Sequence, residues 1–184
     1  MAVKKKVPGG SGKKAPPAGG SSGATAKKQK GKKGQKKKKD KLKCGEKGKY
    51  GDLKKKTGEG KFDRDHVPSK AALKKRAEAL RGGQKLCAKQ QKAIDNAGLS
   101  IAIPKWAHQG YSPTYGSSNS PARIKGDSKN LQKAAVRDTT AMKKAMKKNG
   151  ASKECQKKYG EFAKEVEAKT PRQYDSALKE AMGK

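Results

Sequence analysis

The chain is short of aromatic residues, of acidic residues and of long apolar runs. Aromatics are 4% of its 184 residues and apolar residues 30% in all. That balance excludes one large core spanning the whole chain. No apolar stretch approaches the roughly 20 residues a membrane-spanning helix needs, so no membrane partner is expected. The three cysteines, Cys44, Cys87 and Cys155, are widely spaced and form no CxxC pair, which argues against a zinc finger or a thioredoxin-like site. With room for one bridge at most, reduced thiols in a cytosolic setting are the expectation. The P-loop pattern and GxGxxG are missing, and GxSxG occurs only at Gly19–Gly23 within the Lys- and Gly-rich start of the chain, so nucleotide-cradling loops and a nucleophile elbow are set aside. The opening run Met1-Ala2-Val3-Lys4-Lys5-Lys6-Val7-Pro8 is basic but leads into no apolar segment, so no ordinary secretory signal is expected and the chain is read as cytoplasmic when made.

What the chain has in excess is positive charge: 49 Lys and Arg against 16 Asp and Glu, a formal +33. Such an imbalance calls for a polyanion as substrate, target or neutralising partner, and nucleic acid is the default. Residues 1–43 hold 16 Lys, one Asp and no aromatic residue. They cannot bury enough apolar surface to offset chain entropy and read as a disordered arm, either gripping phosphates without sequence preference or merely solubilising. All eight aromatic residues lie beyond position 49. Residues 44–184 are therefore the folded part, with a motif-bearing core over 44–127 and C-terminal helices over 128–184.

The coarse pattern predicts two short strands, 49–57 and 60–67, joined by Thr57-Gly58-Glu59-Gly60. Ser69 is placed to cap a helix running to about Arg81, and Gly82-Gly83 stops it. A second helix is expected over 84–97, then a brief strand in Leu99-Ser100-Ile101-Ala102-Ile103-Pro104. Residues 105–127 read as a long loop unusually rich in aromatics, which suggests a site rather than a spacer. Three more helices follow at 129–148, 153–168 and 171–182, the last opened by the capping box Thr170-Pro171-Arg172-Gln173. The Met and aromatic stripes in these helices are read as core.

The two histidines each sit in a motif. Phe62-Asp63-Arg64-Asp65-His66-Val67-Pro68-Ser69 joins a carboxylate able to ligate metal, a general base and a helix N-terminus that favours an anion. On a regular strand Asp65 and His66 point to opposite faces, and the break at Pro68 lets both reach one rim. The second motif is Pro104-Lys105-Trp106-Ala107-His108-Gln109-Gly110-Tyr111-Ser112, with Asn119 and Arg123 beyond. A carboxylate, an imidazole and an amide oxygen together can hold a divalent cation and leave positions open for water and phosphate. Arg64, Lys105 and Arg123 are candidate phosphate binders. Asp63 and Asp65 are either metal ligands or charges that relieve repulsion among the Lys and Arg side chains around them.

Gly48-Lys49-Tyr50-Gly51-Asp52-Leu53, then Asp63-Arg64-Asp65-His66-Val67-Pro68-Ser69-Lys70-Ala71-Ala72-Leu73 and His108-Gln109-Gly110-Tyr111-Ser112-Pro113-Thr114-Tyr115-Gly116, resemble HNH/endonuclease VII-like nucleases. More narrowly they resemble the nuclease toxin domains at the C-termini of bacterial polymorphic toxins and type VI effectors. The likeness covers residues 44–150. It implies His66 as general base, Asp65 and His108 as metal ligands, and Asn119 as a supporting ligand. It also implies a divalent cofactor, Mg²⁺ first, with Mn²⁺, Zn²⁺ or Ni²⁺ as alternatives. The reaction implied is hydrolysis of phosphodiester bonds in nucleic acid, DNA being favoured and RNA the alternative, with an acidic immunity protein as partner and a specialised secretion system for delivery. The expected fold is α+β and helix-rich, a small β-hairpin plus helices. It resembles an expanded ββα-metal (His-Me finger) core, in which His108 lies 42 residues after His66. The competing expectation is a non-enzymatic basic protein that binds nucleic acid.

Overall fold

The computed structural model describes residues 40–183; most of the arm, residues 1–39, lies outside the described residues. The first strand, β1 (Lys47–Lys49), runs straight into a single helical turn, α1 (Tyr50–Leu53). After the turn at Gly58–Gly60 comes β2 (Phe62–His66), then α2 (Lys70–Ala79), α3 (Ala88–Ala97) and β3 (Leu99–Pro104). The remainder is helical: α4 (Lys105–Tyr111), a 3₁₀ turn at Gly116–Ser118, α5 (Pro121–Lys129), α6 (Leu131–Lys148), α7 (Lys153–Glu167) and α8 (Pro171–Ala181). The architecture is thus α+β and helix-rich. Among the described residues no helix is long and apolar enough to cross a membrane.

The helix ends follow their capping residues. Ser69 Oγ accepts from the Ala72 N–H, Asn130 Oδ1 from Lys133 and Ser152 Oγ from Cys155. Each hydroxyl or amide oxygen satisfies one of the N–H groups that an α-helix leaves without a partner. At α8 the capping box closes in both directions, with Thr170 Oγ1 accepting from Gln173 N and Gln173 Oε1 from Thr170 N.

The strands pair differently from the expected hairpin. The sheet has the order β1-β3-β2, both pairs antiparallel, so the late strand β3 lies between the two early ones. Residues 50–53 are helical and do not extend a strand to position 57. The reason is burial. Ile101, Ala102 and Ile103 have no exposure at all, and a strand covered on both faces takes the centre of a sheet. The expected loop over 105–127 also contains structure, namely α4, the 3₁₀ turn and α5. The helix expected over 84–97 begins only at Ala88, although Leu86 is buried ahead of it.

Three apolar clusters hold the described residues together. One face of β3 (Ile101, Ile103) packs with Met142 and Met146 of α6 and with Tyr159, Phe162 and Val166 of α7. A second cluster joins Leu73, Ile94, Leu131, Tyr174 and Leu178. Arg76 of α2 ties this cluster to α8 through two hydrogen bonds to Asp175, at 2.7 and 2.5 Å. The opposite face of the sheet buries Ala102 against Leu42 and Leu53. Residues 40–43, which composition assigns to the arm, therefore belong to the folded part: Leu42 donates to the Thr57 carbonyl and Thr57 to that of Asp40.

The expectation of reduced thiols fails for one pair. Cys44 and Cys155 form a disulfide, their Cα atoms 5.4 Å apart, while Cys87 is free and exposed. Gly45 donates to the Ala102 carbonyl beside β3, and α7 packs across the same strand. Tertiary contact brings together two thiols whose separation in sequence, 111 residues, gives no sign of it.

Candidate active site

Strand β2 carries the first motif and distributes it by the two-residue period of a strand. Asp63 and Asp65 stand opposite Ile103 and Ile101, and Arg64 and His66 opposite Ala102 and Ser100. The two aspartates therefore face the side covered by α4, while Arg64 and His66 turn toward α1 and α3. Asp65 and His66 leave from opposite faces, yet both line one cleft of about 620 Å³ at the end of the strand. The same cleft is lined by Asp63, Arg64, Lys105, His108 and Asn119, and by Tyr50, Lys70 and Tyr115. Of the residues singled out in the sequence, Arg123 is absent from its walls.

His66 is buried, and its Nε2 lies 3.0 Å from the backbone carbonyl of Asp95 near the end of α3. A carbonyl only accepts, so Nε2 carries the proton and Nδ1 keeps its lone pair. The Nε2–Cδ2 edge of the ring also abuts Gly98, where a Cβ would lie 2.9 Å from Cδ2. Tyr50 packs on the ring with centroids 4.3 Å apart, and the Lys70 ammonium sits 4.5 Å over Tyr50. Burial lowers the His66 pKa to about 4, against the opposing pull of the Asp95 carbonyl, and the Lys70 charge adds to the lowering. The imidazole is therefore neutral at pH 7.

His108 lies between the two aspartates. Its Nδ1 is 3.1 Å from Asp63 Oδ2 and its Nε2 3.4 Å from Asp65 Oδ1, and Tyr115 packs edge-on at 4.9 Å. Burial acts to lower its pKa, but the hydrogen bonds and charges of Asp65 and Asp63 outweigh this and the net shift is upward. An Nδ1–H donated to Asp63 leaves Nε2 beside Asp65 as the second nitrogen. This is the outer carboxylate arrangement that fixes the tautomer of a metal-binding histidine.

Among the described residues no group of three or more His, Cys, Asp or Glu side chains is arranged to hold a metal ion. The cleft offers a mixed set instead. Asp65 is buried, His108 Nε2 faces it, and Asn119, which lines the same cleft, has a buried Oδ1 with no hydrogen-bond partner. A carboxylate, an imidazole nitrogen and an unsatisfied amide oxygen fit a small divalent cation that retains open positions.

The candidate phosphate binders separate. Lys105 lines the cleft. The Arg64 guanidinium is occupied by backbone carbonyls, Nε donating to Leu53 O at 2.9 Å and Nη2 to Lys56 O, because its position on β2 points it at the end of α1. Lys70, in the first turn of α2, is a cleft cation that the sequence reading passes over. Also passed over are Asp95, which acts through its main chain, Gly98 and Tyr50. A backbone carbonyl leaves no trace in side-chain pattern, and Gly98 simply follows the helix expected over 84–97.

No protein-family model matches the chain, and no solved structure does. The chain is similar to Deoxyribonuclease CdiA of Dickeya dadantii (strain 3937), 34% identical over 105 residues. The match takes in 56% of this chain and about 3% of the length of that protein.

Proposed function

We propose that residues 40–183 form a DNA-cleaving toxin domain that hydrolyses phosphodiester bonds by an HNH-like mechanism. The observation that carries this reading is the state of His66, a buried neutral imidazole. Its Nε2–H is tied to the Asp95 carbonyl, which leaves the Nδ1 lone pair unused, and the residue lines a cleft shared with Asp65, His108 and Asn119. The likeness to Deoxyribonuclease CdiA supports both the nuclease chemistry and the choice of DNA.

In this mechanism His66 Nδ1 takes the proton of the attacking water. Its low pKa keeps it unprotonated beforehand, and the charge of a bound phosphate raises its basicity at the moment of transfer. Tyr50 and the Gly98 edge hold the ring in place. Lys70, Lys105 and the N-terminus of α2 receive the phosphate, the helix end contributing N–H groups and a partial positive charge. A divalent cation held by Asp65 and His108, with the Asn119 amide oxygen, supplies charge stabilisation on the phosphate and the leaving oxygen when bound. Asp63 orients His108 for that task.

Purified protein incubated with supercoiled plasmid should nick it in Mg²⁺ or Mn²⁺ and cease to do so in EDTA. Salt-sensitive binding of DNA and RNA without cleavage of either, under every cation tried, would replace this reading with a basic binding protein.

A further inference from the structure

Three of the exposed large apolar side chains among the described residues, Trp106 at 41%, Tyr111 at 47% and Tyr115 at 38%, lie between positions 106 and 115. They are not scattered. Trp106 and Tyr111 meet edge to face with centroids 6.2 Å apart, and the Tyr111 hydroxyl donates to Asn149 Oδ1 at 3.2 Å, beyond the end of α6. A second cavity, of about 670 Å³, is lined by Lys61, Phe62, Lys105, Trp106 and Gln109. Lys105 and Gln109 also line the cleft of His66 and His108, so the aromatic surface is continuous with the candidate active site.

We infer that the exposed Trp106 indole, with Tyr111 set edge to face against it, is a stacking platform for an unpaired DNA base beside the scissile bond, with Lys61 and Lys105 on the flanking phosphates. The inference rests on the reading of the neighbouring cleft as a DNA-cleaving site. A paired duplex presents phosphates and base edges, whereas an exposed indole offers a flat apolar surface that only a base face can cover. Planar aromatics among lysines are the common device for holding single strands. The preferred substrate is accordingly DNA with unpaired bases at the cut.

Trp106 is the single tryptophan of the chain, so its emission reports this surface alone. Full-length His66→Ala protein is titrated at fixed salt with a short single strand, with the same sequence as a blunt duplex, with heparin and with polyglutamate. The single strand should quench Trp106, and the other three should leave its emission nearly unchanged. Trp106→Ala should weaken single-strand binding on the order of tenfold with duplex binding within about twofold, and Trp106→Phe should restore most of the loss. Equal quenching by duplex or heparin, or full single-strand affinity in Trp106→Ala, would overturn the platform. Quenching by polyglutamate but not by the oligonucleotide would overturn it too, marking a surface for an acidic protein. The two readings fail separately. If wild type cuts no DNA but the single strand still quenches Trp106, base stacking on Trp106 stands without a scissile bond beside it, and the cleavage reading falls. If wild type cuts and Trp106 stays silent, the reverse holds.

Discussion

Gly98→Ala perturbs the proposed base without touching its chemistry. Gly98 has φ −58° and ψ 135°, a conformation open to any L-residue, so alanine introduces no backbone strain. What it introduces is one methyl group, 2.9 Å from His66 Cδ2, 3.3 Å from His66 Nε2 and 3.3 Å from Leu73 Cδ1. To restore ordinary contact the imidazole must move by about 0.5 Å, which disturbs the 3.0 Å hydrogen bond from its Nε2 to the Asp95 carbonyl. A displacement of about 1 Å in a reacting group costs on the order of a hundredfold in rate, so half of that predicts about a tenfold loss or more. Overpacking should cost about 1–3 kcal/mol, which lowers the melting temperature of a domain of this size by roughly 3–10 °C. The assay is single-turnover plasmid cleavage well below the melting transition, alongside a DNA-binding titration. Slower cleavage with unchanged binding is expected. A stable Gly98→Ala protein that cleaves at the wild-type rate would refute the claim that this edge of the ring is held in register by Gly98.

Asp65→Ala and His108→Ala should each lower cleavage by about a hundredfold or more with binding retained, and Asp63→Ala by less, about ten- to a hundredfold, because Asp63 acts through His108; equal effects at all three positions would remove that distinction. Arg76→Ala should destabilise the domain by about 1–2 kcal/mol in a denaturant melt, since the paired groups are partly exposed, and leave cleavage per folded molecule unchanged. Cys44→Ser or Cys155→Ser should lower the stability of the oxidised protein by about 2–4 kcal/mol, because the bridge closes a long loop, its cysteines 111 residues apart; identical melts with and without reductant in the wild type would contradict this.

Local signals in the sequence carried a large part of the helical fold. Ser69, Ser152 and Thr170 each cap a helix where a hydroxyl precedes an apolar-periodic run. The Met142, Met146, Tyr159 and Phe162 stripes are core, as their spacing implied. Pairing of strands is non-local, and there the reading failed. Thr57–Gly60 is a real turn, but the segments on either side of it do not pair, because β3 offers a strand apolar on both faces and takes the place between them. Residues 105–111 form α4 despite the polar, Gly-rich surroundings, with Ala107 buried against the main cluster as the helix's anchor. The site divides in the same way. Asp65, His66, His108 and Asn119 were legible because their side-chain chemistry is particular, and one cleft contains all four. The devices that set their state were not, since the Asp95 carbonyl is common to every residue and the need for glycine at position 98 arises only once His66 is packed against it.

The most direct test of the account compares wild type with His66→Ala in cleavage and binding on the same DNA, in Mg²⁺ or Mn²⁺. Removing a general base costs roughly a hundred- to ten-thousandfold in rate, whereas the affinity set by the chain's lysines and arginines should be nearly unchanged. Cleavage lost with binding intact is the predicted result. Cleavage by His66→Ala at the wild-type rate would contradict the account and reduce His66 to a structural histidine.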